Sequence, residues 1–290
     1  MFNEAVNWWK NVLSITPPDT ELPFRRWIRR TGVDSSEGLL PWGLEEEQSI
    51  KRLEEITRGA GVTRFIVRLA AFVALIVDVT DNSTVVITSA FSSRNRVETQ
   101  AIVGPVTTMA PIVFSCDTSR SFLEWLEIVR DRVFETARWS DIPFDAIVEK
   151  PRASGVKVPE SPIVFMESSY FSDQQFGGLT ISNEFWSVGK MPIGCTFYLD
   201  RKPENCLVNF DANLYDPKGM RALLDRYHRL LETAARNPEL PITTLLTLLG
   251  AKPLRWKCES FYEFVKSFYD ASSVLKMLWR PVKRWFVSNA

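Results

Sequence analysis

Histidine is nearly missing from this chain: of 290 residues, only His228 carries an imidazole. It lies between Arg226 and Arg229 among leucines, in a stretch with helical spacing, so it reads as part of a helix surface and no Ser-His-Asp triad can be built around it. Cysteine is sparse. Cys116, Cys195, Cys206 and Cys258 stand far apart without a CxxC pair. With one histidine to join them they make no zinc site, and they read as reduced, buried thiols of a cytosolic protein. Long apolar runs are lacking too. The longest, residues 69–77, is nine residues, against about 20 needed to cross a bilayer. Residues 1–13 have no basic segment followed by an apolar core and are not read as a secretory signal. Net charge is also missing: 35 Lys and Arg balance 35 Asp and Glu, so nothing in the overall charge points to nucleic acid. G-x-S-x-G, the P-loop, G-x-G-x-x-G and H-E-x-x-H do not occur.

What is present is an ordinary globular composition, with 45% apolar and 24% charged residues. The charge is uneven, because residues 252–290 hold eight Lys or Arg against three acids. Periodicity predicts helices over residues 4–13, 44–60, 65–79, 121–139 and 216–237. Thr63 is the expected N-cap of the third, and Ser121-x-x-Glu124 fits a capping box for the fourth. The 65–79 helix is apolar nearly all round, which argues for burial on a sheet. The 121–139 helix shows Phe122, Leu126, Val129, Val133 and Phe134 as its apolar stripe. Residues 85–91 are β-branched and apolar and read as a central strand. Further strands are expected over 109–114, 163–166, 179–185, 195–199 and 207–213, and residues 19–43 read as loop with an edge strand. The class is α/β (α+β layered), a mixed sheet packed with helices.

Several segments carry a resemblance. The predicted strand over 85–91 runs into Arg94-Asn95-Arg96. Ile102-Val103-Gly104-Pro105-Val106-Thr107-Thr108 leads into Pro111 and is similar to I-G-x-F-V-N-T-x-P-x-R. Ser140-Asp141-Ile142-Pro143-Phe144-Asp145 is similar to H-Q-D-x-P-F-E, and Glu160-Ser161-Pro162-Ile163 sits where S-R-N-P-L is expected. Asn209-Phe210-Asp211-Ala212-Asn213-Leu214-Tyr215-Asp216 matches E-Y-N-T-D-L-F-D, and Tyr227-His228-Arg229-Leu230-Leu231-Glu232 matches H-F-R-x-L-L-E. In this order and spacing they resemble the C-terminal half of the condensation domains of nonribosomal peptide synthetases, members of the chloramphenicol-acetyltransferase-like superfamily. The resemblance implies a chloramphenicol-acetyltransferase-like subdomain over 1–250, followed by a basic aromatic amphipathic tail over 251–290.

The family's H-H-x-x-x-D-G motif belongs to its other subdomain, before the helix that carries Trp8 and Trp9 here. The expectation is therefore a truncated condensation-like protein without catalytic residues, with no metal and no resident cofactor. It would be inactive alone, and an acyltransferase only if a partner supplies histidine, because forming an amide needs a positioned group for the amine's proton. The implied carrier or channel residues are Arg94, Asn95, Arg96, Thr108, Asp141, Pro143 and Phe144. Arg94-Asn95-Arg96 is either a contact for a carrier protein's phosphopantetheine phosphate or a solvated turn; Asp141 to Phe144 either fix a turn or meet substrate. Several polar positions of the pattern are lost: the motif Arg is Val113, its H-Q reads Trp139-Ser140, and Pro192 replaces an acid.

The tail lies outside the resemblance. Phe261, Phe264, Val265, Phe268, Leu275 and Trp279 form an apolar stripe before Pro281, followed by Lys283-Arg284-Trp285. Phe261, Phe264, Phe268, Trp279, Lys283, Arg284 and Trp285 are the expected contact residues, with the chain's own sheet, a partner or an anionic membrane surface. Four functions stay open: a split condensation half in nonribosomal peptide or related acyl metabolism, a non-enzymatic module recruiting carrier proteins, a cytoplasmic protein peripheral to the membrane, and a decayed gene product.

Overall fold

The computed structural model describes residues 2–14, 20–25, 37–42, 47–94, 97–104, 106–140, 142, 162–167, 174–181, 194–200 and 205–252. Helices α1 (Phe2–Ser14), α2 (Glu47–Gly59), α3 (Arg64–Thr80), α4 (Val97–Gln100), α5 (Phe122–Trp139), α6 (Pro217–Arg236) and α7 (Ile242–Leu248) surround two sheets. The strands are β1 (Glu37–Pro41), β2 (Thr84–Ser92), β3 (Thr107–Ser115), β4 (Ile163–Glu167), β5 (Gln174–Phe176), β6 (Leu179–Ile181), β7 (Cys195–Leu199) and β8 (Leu207–Asp211). The main sheet has six strands in the order β1-β8-β7-β4-β2-β3, and β5 and β6 form a separate hairpin. Pairing is parallel at β2–β4 and β4–β7 and antiparallel elsewhere in the main sheet, the mixed sheet expected from the sequence.

The helix boundaries follow their caps. Thr63 accepts from Ile66 N at 3.3 Å and starts α3. Asp81 ends it at φ 55°, a left-handed position that a short polar side chain tolerates. At α5, Ser121 Oγ accepts from Glu124 N at 3.2 Å while Glu124 Oε2 accepts from Ser121 N at 2.8 Å. In α6, Asp216 accepts from Gly219 N at 2.9 Å and Pro217 occupies the first turn, where its missing N–H costs nothing.

The core lies between the sheet and α3, α5 and α6. Helix α3 is buried on all sides, as its apolar surface requires, and contributes Phe72, whose ring centroid lies 4.5 Å from that of Phe165 in β4 and 4.6 Å from that of Phe197 in β7. Trp125 Nε1 donates to Ala70 O at 3.0 Å and Tyr227 Oη to Arg68 O at 3.1 Å, so buried polar atoms are paired where two helices meet. Arg226 is sunk in the same layer. Its Nη2 and Nε reach Asp78 Oδ2 at 3.0 and 3.2 Å, and Nη1 donates to Gly250 O at 3.0 Å. The chain after α7 is thereby fastened to α3. Helix α1 forms two smaller clusters, one joining Trp9 and Leu13 to Ala110, the other joining Val12 to Val86 and Val113. No single helix among the described residues is long and apolar enough to cross a membrane.

Three differences from the sequence reading have local causes. Phe134 is 59% exposed, because it sits one residue past the buried row Phe122, Leu126, Val129 and Val133. Strand β8 stops at Asp211 rather than Asn213, since Asp211 Oδ1 accepts from Asn213 N and its carbonyl from Leu214 N, which folds the chain into a turn. Helices α4 and α7 were not anticipated. The expected tail helix, with Phe261, Phe264, Phe268, Trp279, Lys283, Arg284 and Trp285, lies outside the described residues.

Candidate functional site

The expected site residues fall in two groups. Asn95, Arg96, Asp141, Pro143 and Phe144 lie outside the described residues. Arg94 and Thr108 flank the excursion between β2 and β3. Arg94 Nη1 donates to Thr99 O at 3.0 Å and Ile102 O at 2.7 Å, and Nη2 to Gly104 O at 2.9 Å. One planar guanidinium thus gathers the carbonyls in and after the short helix α4. Thr108 is half-buried opposite Phe91, its hydroxyl 3.3 Å from Ser93 Oγ. The arrangement holds three apolar side chains in water: Val97 at 80% exposure, Ile102 at 47% and Val103 fully exposed.

The lone imidazole is half-buried on α6, with its ring centroid 5.9 Å from Tyr227 and 6.2 Å from Trp42. Two of the described thiols, Cys116 and Cys195, are poor nucleophiles. Burial pushes Cys116 up to about 12, helped by the Asp117 carboxylate, and burial likewise raises Cys195 and the Tyr215 phenol. Among the described residues no group of three or more His, Cys, Asp or Glu can hold a metal ion.

The face of the main sheet opposite the core carries a polar row that sequence reasoning missed. Register runs continuously across it: Pro111 opposite Thr88, Thr88 beside Val164, Val164 beside Thr196, Thr196 opposite Asn209, and Asn209 opposite Leu39. Two residues further along the outer strands, Glu37 faces Asp211. Thr196, Asn209 and Asp211 are each buried, and Asn209 Nδ2 donates to Glu37 Oε1 at 2.5 Å. The core face of the same strands, with Val208, Phe210, Cys195, Phe197, Ile163 and Phe165, is apolar. Residues of alternating polarity in β7 and β8 were the available signal, but which strands lie side by side cannot be read from one chain.

A core of helices over a mixed six-strand sheet has a counterpart among known proteins. The family model described as the condensation domain matches residues 1–252. The chain belongs to the condensation-domain family. A linear gramicidin synthase of Brevibacillus parabrevis is 23% identical over 252 residues, covering 83% of this chain and 5% of that synthase. Phosphinothricin tripeptide synthetase PhsB of Streptomyces viridochromogenes is 31% identical over 150 residues, covering 51% of this chain and 12% of that protein. In fold, the condensation-domain chain is similar to the X-domain from teicoplanin biosynthesis, with TM-score 0.69 at 20% identity, covering 84% of this chain and 56% of that one. The condensation domain from the Monacolin K polyketide synthase MokA gives TM-score 0.65 at 19% identity, covering 83% and 59%. The chain therefore spans a little over half the length of these solved structures and a small fraction of the synthases.

Proposed function

We propose that these 290 residues supply the half of an acyl-transfer site that lacks the paired histidines, in nonribosomal peptide or related metabolism, and that they bind tethered substrates without joining them. The observation that carries this reading is chemical. Taking a proton from an attacking amine near neutral pH calls for a positioned base, and imidazole is the usual one. The one imidazole in the sequence is packed on α6 against Trp42 and Tyr227. A segment bearing H-H-x-x-x-D-G, in the same or a second polypeptide, would complete the site. The purified 290-residue protein should form no amide from acyl-carrier and aminoacyl-carrier thioesters, and should do so when that segment is added. With the segment present, His228→Ala should leave the rate unchanged. Amide formation by the 290 residues alone would overturn the reading.

Carrier binding is part of the same proposal. Arg94 shapes the β2–β3 excursion, and Arg96, two positions on in the sequence, would contribute a guanidinium for a phosphopantetheine phosphate, charge-assisted and bidentate. Arg94→Lys keeps the charge but loses the fork that spans three carbonyls. It should therefore weaken binding of a holo-carrier protein as much as Arg94→Ala in a pull-down titration. Retention of binding in the lysine variant would show that charge alone matters there, and an absence of carrier binding at high micromolar concentration would remove the proposal.

A second reading has one observation in its favour. A related X-domain of 21% identity and TM-score 0.67 is solved as a complex with OxyB from teicoplanin biosynthesis. A condensation-like fold acting as a recruiting surface would show partner binding with no gain of activity when the histidine segment is added.

A further inference from the structure

The excursion between β2 and β3 keeps its shape without a core of its own. From Val97 to Gly104 every residue except Thr99 is exposed, and the bulkier apolar ones, Val97, Ile102 and Val103, stand in water. Compact surface loops are commonly packed by their own side chains, and this one is not. We infer that the excursion is a preformed arch, and that Ser93, Gly104 and Thr108 are positioning residues which, with Arg94, hold it ready for a carrier protein. This rests on the reading that a carrier docks here, and deepens it by naming what keeps the docking surface in shape.

The first device is the neck. The β2–β3 ladder ends at Ser92 with Thr107, and Ser93 N adds one bond beyond it, to Val106 O at 3.0 Å. Ser93 Oγ also lies 3.3 Å from Thr108 Oγ1, and Ser92 Oγ accepts from Arg94 N at 3.3 Å. The two strands are thus joined by side chains as well as backbone where the excursion begins, and Thr108 braces that neck.

The second device is the Arg94 guanidinium. Its donations to the Thr99, Ile102 and Gly104 carbonyls are the cross-ties of the arch. A guanidinium carries donors only, so these bonds satisfy carbonyls and leave no acceptor of its own unmet.

The third device is Gly104. Its φ is 148°, a region that a residue with a Cβ rarely adopts, and its carbonyl is the one that meets Arg94 Nη2 at 2.9 Å. A Cβ at this position would meet nothing within 4 Å, so alanine would oppose the backbone conformation and touch nothing else.

A surface ordered in advance leaves little ordering cost for the moment of association. When only a fraction of the molecules holds the competent shape, apparent affinity falls by that fraction.

The test uses the 290-residue protein in two arms. In the first, amide exchange is followed on the protein alone at Ser93, whose N–H donates to Val106 O. Gly104→Ala should speed that exchange about tenfold, and Thr108→Val about threefold. Thr108→Ser should restore it, and the amides of β7 should keep the protection of the parent. In the second arm a holo-carrier protein is titrated against the same variants. Its affinity should fall severalfold for Gly104→Ala, in step with the closed fraction read from exchange, with Thr108→Ser close to the parent. Gly104→Ala leaves every side chain of the excursion in place, so a loss there reads shape and not contact. Unchanged exchange in both Gly104→Ala and Thr108→Val would overturn the proposal, and so would a carrier affinity that does not follow the closed fraction. No carrier binding by the parent would instead remove the wider reading, and the positioning role with it, so the parent alone tells the two failures apart.

Discussion

At the scale of single residues, two buried groups contribute to stability by different means, one by pairing a charge and one by holding a proton. Arg226 is 2% exposed and its guanidinium is divided between Asp78 and the Gly250 carbonyl. Truncating it leaves the Asp78 carboxylate facing the core without its main partner, with the Lys252 ammonium 3.6 Å away. Arg226→Ala should cost about 3–5 kcal/mol in urea unfolding. A loss under about 1 kcal/mol would mean that Lys252 or water takes over. Cys116 acts through protonation. Burial, helped by Asp117, raises its thiol from 9.0 to about 12, so the folded protein holds that proton more tightly than the unfolded chain. The stability this contributes is intact below about pH 9 and lost as pH rises toward 12. Replacing Cys116 with Ala should flatten the alkaline fall of the melting temperature across that window, and an equally steep fall would assign it to other groups, such as Cys195 and Tyr215, whose burial shifts them the same way.

At the scale of elements, legibility followed how local the determinants are. Helices α3, α5 and α6 begin where Thr63, Ser121 and Asp216 announce them, because a cap needs only the next three residues. The capping box of α5 is also testable. Ser121→Ala removes both hydroxyl contacts and should cost about 1 kcal/mol. Because the Ser121 backbone and hydroxyl hold Glu124 below the usual carboxylate range, that stabilisation is present above pH 4.5 and fades as pH falls through the lowered value. An acid titration of the variant should therefore be shallower than that of the parent. Helix α7 was missed because its Pro241 start has no side-chain cap and its ITTLLTL sequence is rich in β-branched residues. Its place is set instead by Ile242 N and Thr243 N, which donate to the Arg120 and Thr118 carbonyls far back in the chain. Nor could the β1 edge strand be sharply bounded, since its five residues gain their regularity from β8, about 170 positions away in sequence. The polar set on the far face was invisible for the same reason: Asn209 and Asp211 were noticed as part of a motif, but Glu37 joins them only through register.

At the scale of the whole molecule, the sheet is joined unevenly. The β2–β3 ladder has nine register pairs and β4–β7 has five, whereas β2 and β4, though packed side by side, share one register pair among the described residues, Thr88 with Val164. Beside that junction Ser89 Oγ donates to Phe165 O at 2.8 Å, a side chain doing what a backbone N–H does elsewhere in the ladder. Arg94 sits just past the end of β2 and Thr108 at the start of β3, while Asn209 and Asp211 sit on the β4-β7-β8-β1 side of the junction. A sheet whose ladder is shortest at the β2–β4 junction should open there first, because local unfolding follows the weakest set of contacts. Ser89→Ala leaves the Phe165 carbonyl unmet in the core, at a cost of about 1–3 kcal/mol. Amide exchange should then quicken in β2, β3 and β4 while β7 and β8 keep the protection of the parent. If instead all strands lose protection together, α3 binds the two halves into one cooperative unit.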